Sequence, residues 1–136
     1  MSEVFEQIEP VTESVERENA WRVQITVPWP ISVNSYYRSV NGRSILSKRG
    51  REYKEFSKEL EHLAGSFSEE DRLMVSISLF PPSRRLLDID NYGKSTIDLL
   101  QASGIIPNDN QIDRLHIHRK EVIKGGKAVI QITRID

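Results

Sequence analysis

From residue 21 the chain alternates, with Trp21, Val23, Ile25 and Val27 apolar against Arg22, Gln24 and Thr26. That period predicts a half-buried first strand, which Pro28 and Pro30 bring to an end. Residues 31–47 read as a loop that can hold a small hairpin turning at Asn41-Gly42. Ser47 then supplies a helix cap, and Tyr53, Phe56, Leu60 and Leu63 keep to one stripe. Gly65 stops that helix. Strict alternation returns at Leu73-Met74-Val75-Ser76-Ile77-Ser78-Leu79-Phe80 and predicts a central strand. A second helix is expected over 91–103, with Ile97 and Leu100 on one side, Gly104 at its end and Pro107 beyond. Leu115, Ile117 and Val122 predict another strand. It is expected to meet Ala128, Ile130 and Ile132 across a Lys124-Gly125-Gly126-Lys127 hairpin, the signature of a primed two-residue turn. The order β-(hairpin)-α-β-α-β-β predicts an α/β (α+β) fold: a mixed β-sheet of about four strands with two helices packed on it. There are no internal repeats.

Length and charge refine this picture. The chain has 136 residues, enough for one compact domain. Apolar residues make up 38% and charged residues 29%, an ordinary soluble composition. No apolar run approaches the roughly 20 residues that span a bilayer, and no basic-then-apolar leader opens the chain. There are no cysteines, which excludes disulfides, thiolate metal sites and a cysteine nucleophile. A reducing cytoplasm and no membrane partner are the expectation. The net charge of −1 conceals an asymmetry: residues 1–20 hold six glutamates and one arginine, Arg17, leaving the remainder at +4. Residues 1–20 are therefore expected to be an acidic, disordered tail, and 21–136 a single, modestly basic domain compatible with a polyanion.

The candidate chemistry gathers between the central strand and the second helix, in Leu87-Asp88-Ile89-Asp90-Asn91-Tyr92-Gly93-Lys94. If the chain is extended there, Asp88 and Asp90 point to one face. Two carboxylates that close need a cation between them, and Mg²⁺ prefers such oxygens. Lys94 can put an ammonium beside the same spot, so a metal-dependent site for phosphate chemistry is expected. Asp109 is a third acid, though by spacing alone it serves a turn in Asn108-Asp109-Asn110. Asp98 lies four residues from Lys94, the spacing of an exposed helical ion pair. Lys48 and Arg49 at the first helix start, with Arg84 and Arg85 upstream of the acidic pair, suit phosphates, or else form a solvated basic face. Tyr36-Tyr37-Arg38 suits stacking on bases, or else forms a satellite core cluster. His116 and His118 share a strand face but lack a third metal ligand.

Taken together, residues 21–135 resemble the RusA family of Holliday-junction resolvases, small endodeoxyribonucleases of phages and bacteria. The resemblance opens with Val27-Pro28-Trp29-Pro30, then Ser32, Asn34 and Tyr36-Tyr37-Arg38. Its core is Asp88-x-Asp90-Asn91-x-x-Lys94-x-x-x-Asp98, followed by Gly104, Asn108-Asp109-Asn110-Gln111-Ile112 and Lys124-Gly125-Gly126. The resemblance implies that Asp88, Asp90 and Asp109 bind Mg²⁺, with Mn²⁺ as a substitute, and that Lys94 is catalytic. It implies a homodimer acting on branched DNA, the four-way junction, with Asn34, Tyr36, Tyr37, Arg38, Lys48, Arg49, Arg84 and Arg85 as candidate DNA contacts. The family often has two adjacent acids where this chain has Asn108-Asp109, which leaves Asp109 alone there. The acidic segment 1–20 lies outside the match. The rival readings are an inactive junction-binding accessory protein and a metal-dependent nucleotidyl- or glycosyltransferase with paired aspartates. The chain lacks a glycine-rich phosphate loop before the acidic pair, which counts against the transferase.

Overall fold

The computed structural model describes residues 9–12 and 21–135. In chain order these form β1 (Glu9–Thr12), β2 (Trp21–Pro28), the one-turn helix α1 (Val33–Tyr36), and a hairpin of β3 (Tyr37–Val40) and β4 (Arg43–Leu46). Helix α2 (Lys48–Lys54) runs on as 3₁₀ turns over Glu55–Leu63 and is followed by β5 (Arg72–Phe80). Helix α3 (Gly93–Ala102), β6 (Ile112–Arg119) and β7 (Lys127–Ile135) complete the fold. No helix among the described residues is long and apolar enough to cross a membrane.

The main sheet has five strands in the order β1-β2-β7-β5-β6, antiparallel except for the parallel β5–β6 pair. Alternation puts one residue in two on the helix side, and the register aligns these into rows. Val23, Ile132 and Val75 form one row, Ile25, Ile130 and Ile77 the next, and Val27, Ala128 and Leu79 the third. All nine are fully buried. They pack with Tyr53, Leu60, Leu63, Leu99 and Leu100 from the helical layer. Each fully buried aliphatic side chain contributes about 1.5–3 kcal/mol, so these rows hold the two layers together. The mixed sheet with helices against it is the expected class.

Ser47 caps α2 as expected, its Oγ accepting from the Gly50 amide at 2.9 Å. The predicted single helix tightens at Glu55 because its buried residues there, Ser57, Leu60 and Leu63, recur every three positions. That is the period of a 3₁₀ helix, not an α-helix. Gly50 sits where α2 crosses α1, and a Cβ on it would lie 2.5 Å from the Tyr36 carbonyl oxygen. Only glycine allows that approach. The Asn41-Gly42 hairpin forms where predicted.

The predicted β6–β7 hairpin is not present. Strand β6 pairs in parallel with β5, and β7 inserts between β5 and β2. The reason lies in what each strand can bury. Strand β6 carries Asp113, Arg114, His116, His118 and Arg119, all exposed, and suits an edge. Strand β7 carries Ala128, Ile130 and Ile132 and suits the centre. The β5-α3-β6 unit is then the standard crossover between parallel strands. The connection over 120–126 passes the end of β5, with the Lys120 amide on Leu79 O at 2.7 Å and the Ile123 amide on Pro81 O at 2.9 Å. At its end, a Cβ on Gly126 would meet Pro82 at 3.0 Å. That glycine thus serves packing against the loop that leads to Asp88.

Residues 9–12 of the acidic segment pair with β2 as the outermost strand, Pro10 opposite Val23. Proline is tolerated at such an edge. The expectation of disorder for the rest of 1–20 lies outside the described residues.

Candidate active site

Helix α3 organises the site. Before it, Asp88 is extended at φ −94° and ψ 117°, and the chain then enters a 3₁₀ turn over Ile89–Tyr92. The Asn91 amide donates to Asp88 O at 3.1 Å. The expected extended geometry therefore ends at Asp88, and strand alternation does not set the relation of Asp88 to Asp90. Asp88 makes no side-chain capping bond, and both acids are exposed.

One turn later comes Lys94, whose Nζ lies 3.3 Å from Asp98 Oδ1. The expected i,i+4 pair is present, but it is more than a surface pair. Asp98 Oδ2 accepts a 2.7 Å hydrogen bond from the Tyr36 hydroxyl. Burial lowers the Lys94 pKa, yet attraction to Asp98 and the hydrogen bond to it outweigh that, with smaller help from Tyr37 and Asp109, so the net direction is up. Tyr36 is fully buried, and burial together with Asp98 pushes its phenol well above the usual range. Its ring is thus not presented for stacking on a base, and for Tyr36 the core reading holds. Tyr37 packs edge-on against it at 5.0 Å and remains partly exposed.

Asp109 lies past the far end of α3 on a turn held from several sides. Its amide donates to Gln101 Oε1 at 2.9 Å. A capping box joins Asn108 and Gln111. The buried Gln111 amide group also donates to Ser68 O and Asp71 O at 2.8 and 2.9 Å. The Asp109 carboxylate is exposed and its field reaches Lys94.

A cleft of about 540 Å³ opens beside Asp88. Its walls include Trp29, Asn34, Arg49, Arg85, Leu86, Leu87, Asn91 and Tyr92. The Trp29 and Tyr92 rings meet at 5.0 Å. The structure so brings Asn34, Arg49 and Arg85, three of the expected DNA contacts, to one cavity with Asp88. Arg38, Lys48 and Arg84 lie outside it. The strap 31–38 is tied to α3 by Ser95, whose Oγ donates to Ile31 O and accepts from the Ile31 amide. Arg119 Nη2 donates to Leu87 O at 3.1 Å, beside Asp88. Sequence reasoning did not assign Trp29, Tyr92, Ser95 or Arg119 to the site. Trp29 stood in the opening signature and Tyr92 within the acidic stretch, but neither was given a role there.

Three carboxylates offer hard oxygen donors of the kind Mg²⁺ and Mn²⁺ take, so the donor chemistry fits such an ion. Among the described residues, however, no three His, Cys, Asp or Glu side chains converge to a metal-holding group. His116 and His118 lie parallel with ring centroids 6.2 Å apart and gain no third ligand among the described residues.

Comparison with known proteins supplies the lineage of this arrangement. The family described as Endodeoxyribonuclease RusA matches residues 28–133. The crossover junction endodeoxyribonuclease of Enterobacteria phage 82 is 32% identical over 114 residues, covering 82% of this chain and 93% of the relative. That of Escherichia coli strain K12 is 30% identical over 112 residues, covering 82% and 93%. That of Enterobacteria phage HK97 is 28% identical over 114 residues, covering 83% and 95%. The match contains the whole strap, the cleft, the acidic turns and α3, and the chain belongs to the RusA endodeoxyribonuclease family.

Proposed function

We propose that this chain is a divalent-cation-dependent endonuclease that resolves four-way DNA junctions by paired, symmetric nicks, acting as a homodimer in DNA recombination and repair. The observation that carries the reading is the family match over a domain in which Asp88, Asp90, Lys94 and Asp109 all lie on α3 or on the turns that flank it. Relatives named as crossover junction endodeoxyribonucleases in phages and bacteria support a junction substrate and a site of action in the bacterial cytoplasm.

Asp88, Asp90 and Asp109 would hold Mg²⁺, or Mn²⁺ in its place. Such an ion supplies Lewis-acid polarisation of the phosphate and a more acidic bound water. Lys94, still 43% exposed in its side chain, offsets the charge that builds on the phosphate oxygens. Arg49, Arg85 and Asn34 hold the strand that passes Asp88, through its phosphates. Arg38, Lys48 and Arg84 extend the basic surface, and Tyr37 offers a partly exposed ring. Most of the affinity comes from phosphate contacts and falls steeply with salt. Discrimination rests on junction shape more than on base edges. A junction has approximate two-fold symmetry, and two copies of one site on a C₂ dimer match it.

The deciding experiment incubates the purified protein with a labelled mobile four-way junction or a matched duplex, with Mg²⁺ or with EDTA. Symmetric nicks in the junction alone, lost with EDTA, are expected. Asp90→Asn should bind the junction and fail to cut it. Binding without cleavage by the unmodified chain would favour the accessory-protein reading, and neither would favour the transferase.

A further inference from the structure

An ordinary i,i+4 ion pair on a helix surface contributes about 0.2–0.5 kcal/mol and needs nothing beneath it. The Lys94–Asp98 pair is built differently. The Asp98 side chain is only 19% exposed, and its second oxygen is held at 2.7 Å by a tyrosine from another element. That tyrosine, Tyr36, is fully buried. Its backbone carbonyl accepts from the Ser47 amide at 2.9 Å, and Gly50 lets α2 press against the same carbonyl. The chain Gly50–Tyr36–Asp98–Lys94 therefore runs from the packed helical layer to an ammonium at the surface. Lysine is a point charge on a flexible stem with about 2 kcal/mol of rotamer entropy, and a catalytic charge is effective only where its direction is set in advance.

We propose that Asp98, anchored by the buried Tyr36 hydroxyl, is a positioning residue that keeps the Lys94 ammonium aimed at the scissile phosphate. This rests on the proposed role of Lys94 in cleavage. It accounts for Tyr36 being folded inward although it lies within a segment whose composition suits nucleic acid. It also joins substrate binding to catalysis mechanically. The strap bearing Asn34 and Tyr37 and the helix bearing Lys94 are fastened together at two places, Ser95 to Ile31 and Asp98 to Tyr36.

The test is a mutant cycle on the full chain, read as single-turnover cleavage of a four-way junction at saturating enzyme. The variants are Lys94→Ala, Asp98→Asn, the double variant, and Tyr36→Phe. The Asp98→Asn change keeps the side-chain shape and an oxygen that can accept from Tyr36, but it removes the charge that holds Lys94. A misplacement of the order of 1 Å costs up to about a hundredfold in rate. Asp98→Asn is therefore expected to slow cleavage by about 10- to 100-fold with junction affinity unchanged within about twofold. Adding it to Lys94→Ala should cause no further loss, because residues that act as a unit are not additive. Tyr36→Phe should fall in between. In the metal-free protein, NMR of the lysine side chains should show Lys94 gaining mobility in Asp98→Asn and in Tyr36→Phe.

Multiplicative losses in the double variant, or Lys94 mobility that does not change, would overturn the positioning role while leaving Lys94 catalytic. A loss of junction affinity or thermal midpoint as large as the loss of rate would overturn it in favour of a structural role. Wild-type cleavage by Lys94→Ala would sink the role of Lys94 itself, and the positioning role with it.

Discussion

The two acid-bearing turns at either end of α3 are built to opposite specifications. The turn over 108–111 is a fixture: a capping box closes it, Gln101 holds the Asp109 amide, and buried Gln111 bridges to Ser68 and Asp71. The turn over 88–92 has a backbone bond from Asn91 to Asp88 and no side-chain cap on Asp88. It is held by packing instead, with Trp29 on Tyr92 and with Ile89 and Tyr92 against the core, behind an exposed loop in which Leu86 is 93% exposed. The difference teaches that one turn is held by polar side chains and the other by apolar packing. The cost of burying and satisfying polar side chains is met at the fixed turn.

The comparison can be broken most directly at the acids. If both turns contribute ligands, Asp88→Asn and Asp109→Asn should each reduce junction cleavage at least about a hundredfold while retaining binding. Near-normal cleavage by either variant, measured in the junction assay, would remove that turn from the site.

Next in size is the support beneath Asp109. Gln111→Ala leaves the Ser68 and Asp71 carbonyls and the Asn108 amide without their partner, and each lost hydrogen bond is worth about 0.5–1.5 kcal/mol. Thermal unfolding should show a midpoint lowered by several degrees. Hydrogen exchange should show amides of 109–111 losing protection toward the faster exchange expected of 89–92. Equal exchange rates at the two turns in the unmodified protein would contradict the contrast itself.

A smaller effect is expected at high pH, away from both turns. Tyr36 and Tyr53 are buried, and their phenols bind protons more tightly in the folded chain than in the unfolded one, where the value is 10.0. Their stabilising contribution is therefore complete below about pH 10 and is lost as the pH rises above it. Denaturant titrations from about pH 9 to about pH 11 should show stability falling, with a shallower fall in Tyr36→Phe. The smallest effect belongs to Leu86→Ser in the exposed loop, which should change stability by no more than about 0.5 kcal/mol. A larger loss in thermal unfolding would mean that the loop is packed after all.

Much of this was legible from residue order because it depends on local rules. The alternation from Val23 to Val27, from Leu73 to Leu79 and from Ala128 to Ile132 marked the three core strands, Ser47 marked a cap, and Asn41-Gly42 marked a turn. The ordered set from Asp88 to Lys94 with Asp109 marked the family, which the comparison bears out. What failed was partner choice. Alternation shows which side chains of β6 and β7 face the core but not which strand lies beside them, and the glycine pair at 125–126 suggested a hairpin where the chain steps across β5. Asp98 failed in the opposite direction. Its spacing from Lys94 was read correctly as an ion pair, but its hydrogen bond to Tyr36 spans 62 positions and has no trace in local spacing.

By itself, then, the sequence determined most of the core strands and helices, the class of fold and the family, because periodicity, capping and side-chain type act within a few residues. Only the tertiary structure decided the strand order, the burial of Tyr36, the grouping of Asn34, Arg49 and Arg85 around the cleft with Asp88, and the unequal bracing of the two acidic turns. Those depend on contacts between residues far apart in the chain, and the packing of the whole core selects them together.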